Sequence, residues 1–293
     1  MAKRTDKYKK SKLKIFIYIL LFIILFVGII LLWARFISTS GLAVKEVKIV
    51  NEKLPSSFHG LKVIHFSDVH YRRTVNKKYL DKIIDKINLI KPDLVLFTGD
   101  LIDKDTDITD EVITELSSSL SKIDVKYGKY AIKGNHDYSY DSFIEIMENS
   151  NFKILENSYD LIYTSAGEYI YLGGLSSSIK TEINYESALE FFKQGEENKN
   201  IYSIVLSHEP DNVTELLQNN SIDLVLSGHS HGGQIRLPYI GGLMKIKGAE
   251  KYIDEYYKID NTELYVSYGI GTSTYSFRFF NKPSINFYRI YNN

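Results

Sequence analysis

The chain has 293 residues, 44% of them hydrophobic, and its 36 basic residues balance its 36 acidic ones, which is enough apolar material for one main globular domain. The balance hides an asymmetry: seven basic residues but one acidic residue lie in residues 1–14, leaving 29 against 35 in the remainder. An acidic body argues against a nucleic-acid surface, which needs clustered cations, and the absence of cysteine excludes a disulfide framework and thiolate metal ligands.

Ile15 to Trp33 form an uncharged, almost wholly apolar run, about the length that crosses a ~30 Å hydrocarbon layer as a helix. Lys3, Arg4, Lys7, Lys9, Lys10, Lys12 and Lys14 precede it, and Arg35 alone follows closely. The positive-inside rule then predicts a cytoplasmic N-terminus and an extracytoplasmic body at the cell membrane. A cleavable signal peptide has a hydrophobic region of about 7 to 15 residues, shorter than this one, although Ser38-Thr39-Ser40 offers a place for cleavage. Residues 1–14 are thus read as a basic cytoplasmic tail, 15–33 as a transmembrane signal-anchor helix, 34–60 as a linker leading into the domain, and 61–293 as the domain itself.

Within the domain, short apolar runs of β-formers alternate with helical spacing. Leu61–Phe66 reads as a buried strand ending in Ser67-Asp68-Val69-His70. Leu80, Ile83, Ile84 and Ile87 then recur as on one helix face, closed by Pro92. Leu94–Phe97 is a second strand, ending in Thr98-Gly99-Asp100, and Val112, Ile113, Leu116 and Leu120 mark a second helix. Tyr130–Ile132 runs into Gly134-Asn135-His136-Asp137, and a short helix is expected around Phe143–Met147. The period then switches to two: Tyr159–Tyr163 and Tyr169–Leu172 flank a turn and predict a hairpin, followed by helical residues Ser187–Phe192. Ser203–Leu206 ends in Ser207-His208-Glu209-Pro210, a helix is expected from Asn212, and Leu224-Val225-Leu226 delivers Gly228-His229-Ser230-His231-Gly232-Gly233-Gln234. Beyond Gly233 no amphipathic helix is expected, only strands at Tyr265–Ser267 and Ile285–Ile290.

Five apolar strands therefore end in Asp68/His70, Asp100, Asn135/His136, His208 and His229/His231. In open α/β sheets functional groups gather beyond the carboxyl ends of the strands, so these ends predict one crevice holding eight polar groups. A lone Asp after a strand is usually a cap, and a lone His a satisfied structural group; their joint placement is what points to chemistry. The donors are oxygen and nitrogen without sulfur, which suits Mn, Fe or Zn, and they are too many for one ion. Two divalent ions about 3.5–4 Å apart would use them all and would clamp an in-line displacement at phosphorus, with a metal-bound hydroxide as nucleophile.

Gly228-His229-Ser230-His231-Gly232 also fits the Gly-x-Ser-x-Gly elbow of serine hydrolases. That elbow must run into a helix and be followed by an acid and then a histidine. Gly-Gly-Gln-Ile-Arg-Leu-Pro follows instead, and no histidine comes after His231. Ser230 is accordingly read as a small spacer between two imidazoles. His59 and His65 are given structural roles, and Lys133 and Arg278 solvated surface roles.

The ordered set Asp68-x-His70, Gly99-Asp100, Gly134-Asn135-His136-Asp137, His208 and Gly228-His229-Ser230-His231 resembles the calcineurin-like metallophosphoesterases over roughly Leu61 to Ile290. His229 to Gln234 and Tyr265 to Ser273 look like the membrane-associated YkuE/YaeI-type phosphodiesterase branch. The resemblance implies an α/β fold, a four-layer α/β/β/α sandwich of two mixed sheets flanked by helices. It also implies that Asp68, His70 and His231 hold one metal, that Asn135, His208 and His229 hold the other, and that Asp100 bridges them. His136 would then protonate the leaving oxygen and Asp137 would orient it. Ser176, Ser177 and Ser178 stand where some relatives carry acidic residues. The expected activity is hydrolysis of a phosphodiester or pyrophosphate, extending to lipid-linked or envelope substrates; the competing expectation is a membrane-tethered domain that binds metal and a partner without turnover.

Overall fold

The computed structural model describes residues 2–195, 200–218 and 221–293; the side chains of Lys3, Arg4, Lys7, Lys9 and Lys10 lie outside the described residues. Helix α1 (Ala2–Leu32) carries the apolar run and widens into a π turn over Trp33–Ile37. The most apolar window of the stretch Ser11–Ile37 has a mean hydropathy of 3.4 and is unburied. Such a helix has no protein to pack on along most of its length, and it is a candidate membrane span.

The domain begins with β1 (Ala43–Val50), β2 (Leu61–Phe66), α2 (Lys77–Ile90), β3 (Leu94–Phe97), α3 (Asp110–Leu120), β4 (Lys129–Ala131), α4 (Ser142–Asn149) and β5 (Phe152–Ile154). It continues with β6 (Ser158–Tyr163), β7 (Tyr169–Gly174), α5 (Tyr185–Ala188), β8 (Ser203–Ser207), α6 (Val213–Leu216) and β9 (Leu224–Ser227). The last strands are β10 (Arg236–Leu237), β11 (Gly241–Gly242), β12 (Tyr256–Ile259), β13 (Thr262–Val266) and β14 (Ser284–Tyr291). Local chemistry sets the boundaries: α2 starts where Asn76 Oδ1 accepts from Tyr79 N at 3.0 Å, and it stops at Lys91, in the left-handed region just before Pro92.

Two six-stranded mixed sheets form, ordered β1-β14-β2-β3-β4-β5 and β12-β13-β9-β8-β7-β6. β2, β3, β4 and β5 run parallel, with Phe66 opposite Phe97 and Phe97 opposite Ala131. β7, β8, β9 and β13 are likewise parallel, with Ser207 opposite Ser227. Strands buried on both faces divide their side chains between two layers. Ile64, Phe66, Val95 and Phe97 pack with Leu80, Ile83 and Ile84 of α2 and Leu116 of α3. Val63, Leu94 and Leu96 pack with Leu172, Leu206 and Leu226 of the second sheet, whose other face sets Val205 and Val225 against Val213 and Leu216 of α6. The layers are therefore helix, sheet, sheet, helix, as the resemblance implied.

The predicted helices and buried strands are present, and the hairpin over Tyr159–Leu172 is the antiparallel pair β6–β7. Glu190–Lys193 is a 3-10 turn that follows the single turn of α5. The segment read as a linker contributes β1, which pairs in parallel with β14 along its whole length, so residues 43–50 belong to the first sheet. β5, β12 and the two-residue pair β10–β11 were not anticipated.

Candidate metal centre

The ends of β2, β3, β4, β8 and β9 converge, and their loops reverse sharply to aim side chains inward. Asp68 (φ 51°), His70 (42°), Asp100 (59°), His229 (64°) and His231 (47°) all occupy the left-handed region, which costs a non-glycine residue about 1 kcal/mol or more and persists only where the surroundings enforce it. Here they do: Asp68 N donates to Gly99 O (2.9 Å), His70 N to Asp100 O (3.2 Å) and Gly271 N to Asp68 O (2.7 Å). His229 N donates to Asp68 Oδ2 at 3.1 Å and so ties the second sheet to the first. A Cβ on Gly134 would lie 2.2 Å from Asp100 Oδ1, so only glycine lets the β4 loop approach this carboxylate.

Three donor groups result: Asp68 with His70 and His231; Asp100 with His208 and His229; and His70 with Asp100 and His136. In the first, His70 Nε2 is 3.1 Å from His231 Nε2, and Asp68 Oδ1 is 3.5 Å from His231 Nε2 and 3.9 Å from His70 Nε2. Donor atoms about 2.1 Å from one ion lie roughly 3.0–3.4 Å apart, so this spacing fits a first-row cation with little adjustment. Asn135 Oδ1 is 3.2 Å from His208 Nε2 in the second group. Asp100 Oδ2 lies 3.6 Å from His70 Nε2 and 3.4 Å from His208 Nε2, between the two groups.

Outer partners fix the imidazole tautomers. His208 Nδ1 donates to Thr98 O at 2.6 Å, so Nε2 is the nitrogen directed at Asp100. His70 Nδ1 faces Asp103 Oδ1 at 3.4 Å without closing a hydrogen bond, a placement that favours a proton on Nδ1. His229 reverses the arrangement: Nε2 is held by Lys247 O at 2.8 Å, so Nδ1 is the nitrogen left for a ligand role.

Burial, with His70 and the Arg278 guanidinium, holds His231 well below its ordinary range, and burial with His208 lowers His229. Both rings are neutral and offer lone pairs. Burial alone would raise Asp100, but His208, His136 and His70 keep it well below the usual carboxylate range. Asp68 goes up with burial and with the charge of Asp100. Against the effect of burial, Asp100 raises His208 well above its ordinary range and Asp103 with Asp100 raises His70, so the carboxylates hold protons on these two imidazoles that divalent charge would displace, and the donor set fits such ions.

All eight residues expected in the crevice are brought together. Asn135 and His136 are half-buried and form its mouth, whereas Asp68, His70 and His208 have no exposed surface. His136 N donates to Asp100 Oδ1 at 2.8 Å, and its Nδ1 accepts from Lys104 N at 3.2 Å. Asp137 does not orient that ring. Its carboxylate accepts instead from Asp100 N (2.7 Å), Leu101 N (2.9 Å) and Gly134 N (2.9 Å), because burial beside three free N–H groups leaves it no better partner. It fixes the β3 and β4 loops.

Ser230 is 2% exposed; its Oγ accepts from Gly232 N at 3.0 Å, and a 3-10 turn over His231–Gly233 follows it where a nucleophile elbow would run into an α-helix. His65 faces the layer between the sheets and bonds Thr98 Oγ1 through Nε2 at 2.9 Å. His59 Nδ1 pairs with Asn292 Oδ1 at 2.6 Å. Ser177 Oγ and Ser178 N both hold the carboxylate of Glu209, which is buried next to His208.

Arg278 corrects the surface reading. It is fully buried, and its guanidinium donates to Gly271 O (2.6 Å), Tyr268 O (2.7 Å) and Gly269 O (3.1 Å), with Nη2 3.5 Å from His231 Nδ1. Carbonyls 7 to 10 residues upstream accommodate the charge, a partnership invisible to spacing. Asp103, the other residue missed, pairs His70 with Arg73 Nε at 3.0 Å. Lys133 is half-buried beside Glu156 at 3.4 Å.

Residues 61–233 match the family described as calcineurin-like phosphoesterase. The chain is 31% identical over 262 residues to the metallophosphoesterase YkuE of Bacillus subtilis, covering 88% of each. It is 27% identical over 251 residues to the UDP-2,3-diacylglucosamine pyrophosphatase LpxG of Chlamydia trachomatis, covering 71% of this chain and 74% of that one. A transmembrane protein with metallophosphoesterase domain from Danio rerio is 30% identical over 204 residues, 66% of this chain but 45% of that one, so the chain spans less than half of that relative. The match to the family takes in all five strand ends and more than half of the sequence, and on it the chain belongs to the calcineurin-like phosphoesterases, metal-dependent hydrolases of phosphoric esters.

Proposed function

We propose that this chain hydrolyses a phosphodiester or pyrophosphate bond at a pair of divalent ions, from a domain anchored in the cell membrane with its N-terminus cytoplasmic. The observation that carries the reading is Asp100, whose Oδ2 stands between His70 Nε2 and His208 Nε2 at 3.6 and 3.4 Å. Asp68, His70 and His231 would hold one ion and Asn135, His208 and His229 the other, with Asp100 shared. Two such ions, Mn, Fe or Zn by ligand chemistry, supply Lewis acidity at the phosphoryl oxygens and a water of lowered pKa.

The chain's own residues do the remaining work. His136 accepts from Lys104 N through Nδ1, so the neutral ring would donate a hydrogen bond from Nε2 to the leaving oxygen, and transfer of that proton would require the imidazolium form. Burial lowers His136 to about 4, and an anionic phosphoryl group beside it would favour the charged form. Asp137 keeps the Asp100 and Asn135 loops in step, and Arg278 and Asp103 position His231 and His70. The Chlamydia relative, a UDP-2,3-diacylglucosamine pyrophosphatase by name, supports a lipid-linked substrate, and α1 supports anchoring.

The test is turnover by the full chain, stripped with chelator and reloaded with Mn, Fe or Zn, on a soluble chromogenic phosphodiester and on lipid-linked pyrophosphates. Activity should vanish with the metal and return with it. Full metal loading without turnover of any phosphoester would instead mark a non-catalytic metal-binding domain.

A further inference from the structure

After the His229–His231 loop, Leu237-Pro238-Tyr239-Ile240 forms a turn closed by Ile240 N to Leu237 O at 3.2 Å. Tyr239 at its third position has φ 67°, a conformation that turns usually assign to glycine. Its side chain is fully exposed, and those of Ile240 and Leu243 are 70% and 50% exposed. A strained turn that holds apolar side chains clear of the protein is costly in water and signals a partner surface.

Contacts running through one loop join this hairpin to the end of α1. Arg236 N donates to Phe279 O (2.9 Å), and Arg278 N donates to Ala34 O (3.1 Å). The rings of Phe279 and Phe280 pack on Trp33 at 5.5 and 6.2 Å between centroids. Phe280, itself 61% exposed, lines an open groove of about 650 Å³ together with Tyr239 and Ile240. Trp and Tyr favour the headgroup level of a bilayer, and Trp33 stands where the candidate span meets the domain. Lys245 and Lys247 follow the hairpin and are exposed, as befits contact with anionic headgroups. The same loop supplies Lys247 O to His229 Nε2 at 2.8 Å, which links the hairpin to the metal centre.

We propose that the β10–β11 hairpin is a second membrane contact. Tyr239, Ile240, Leu243 and Phe280 enter the interfacial layer where the α1 span ends, and the metal centre takes phosphoesters presented by the bilayer. The inference rests on α1 as a membrane span and on the phosphoesterase reading.

The chain has no cysteine, so Ile240→Cys, Leu25→Cys and Lys126→Cys each create one labelling site in the full chain, the last at the far end of β4. Each variant is labelled with an environment-sensitive fluorophore and reconstituted in phosphatidylcholine–phosphatidylglycerol vesicles containing nitroxide lipid. The labels replacing Leu25 and Ile240 should be quenched and the one replacing Lys126 should not. Quenching at Leu25 without quenching at Ile240, or equal quenching at Ile240 and Lys126, would overturn the hairpin contact while leaving anchoring intact. Absence of quenching at Leu25 would overturn both. In the same vesicles Tyr239→Ser with Ile240→Ser should lower turnover of an acylated phosphodiester about tenfold and leave a soluble chromogenic phosphodiester unaffected. Equal loss on both substrates would overturn the inference, and absence of turnover on either by the unmodified chain would count against the phosphoesterase reading instead.

Discussion

Asp100 sits on the first sheet, yet its carboxylate meets an imidazole from each sheet, and the chemistry proposed here depends on its charge. Asp100→Asn keeps the shape and removes that charge; the variant should lose at least one ion and about 100-fold or more of its turnover, measured as metal per chain beside initial rate. His136→Ala should keep its metal and lose about 10²–10⁴-fold in kcat; loss of metal would make His136 a ligand. His65 provides a pH test away from the centre. Burial lowers it to about 3, so the folded chain resists a proton that the unfolded chain accepts near 6.5. Its contribution is intact above pH 6.5 and is lost as pH falls toward 3. His65→Gln should therefore show a shallower fall of Tm between pH 6.5 and 4. The residues legible in the sequence were those that end buried strands, because an apolar run followed by Asp or His announces its own position. Arg278 and Asp103 end no strand, and their partners lie in loops that only the fold brings near.

Strands and the loops that follow them divide the work of the element scale. Leu96 is fully buried between the sheets, so Leu96→Ala should cost about 2–5 kcal/mol in denaturant unfolding and leave metal affinity nearly unchanged. Gly134→Ala should do the opposite, since its Cβ would meet Asp100 Oδ1 and Asp100 N at 2.2 and 2.4 Å: metal content should fall before stability does. Helices with a full apolar face, such as α2 and α3, and strands buried on both sides were readable from periodicity. β1 was not, although Val44, Glu46 and Lys48 alternate with neighbouring residues that are less exposed, because its pairing partner β14 lies at the other end of the chain. The pair β10–β11 is too short to show any period, and its meaning comes from what it leaves exposed.

At the scale of the whole molecule, a basic tail and an apolar helix precede an acidic domain whose buried strand ends carry the proposed metal donors. Protease added to intact cells should clip the domain after Arg35, and protection until lysis would reverse the proposed orientation. The first sheet brings four of the seven proposed donors and the second brings three, so the centre should assemble only when both are packed. The most direct measurement is metal content and phosphodiester turnover on one purified sample, titrated with Mn or Zn after chelation. Two ions per chain, with turnover appearing as the second binds, is the expected result; full turnover with one ion bound, or none, would contradict it.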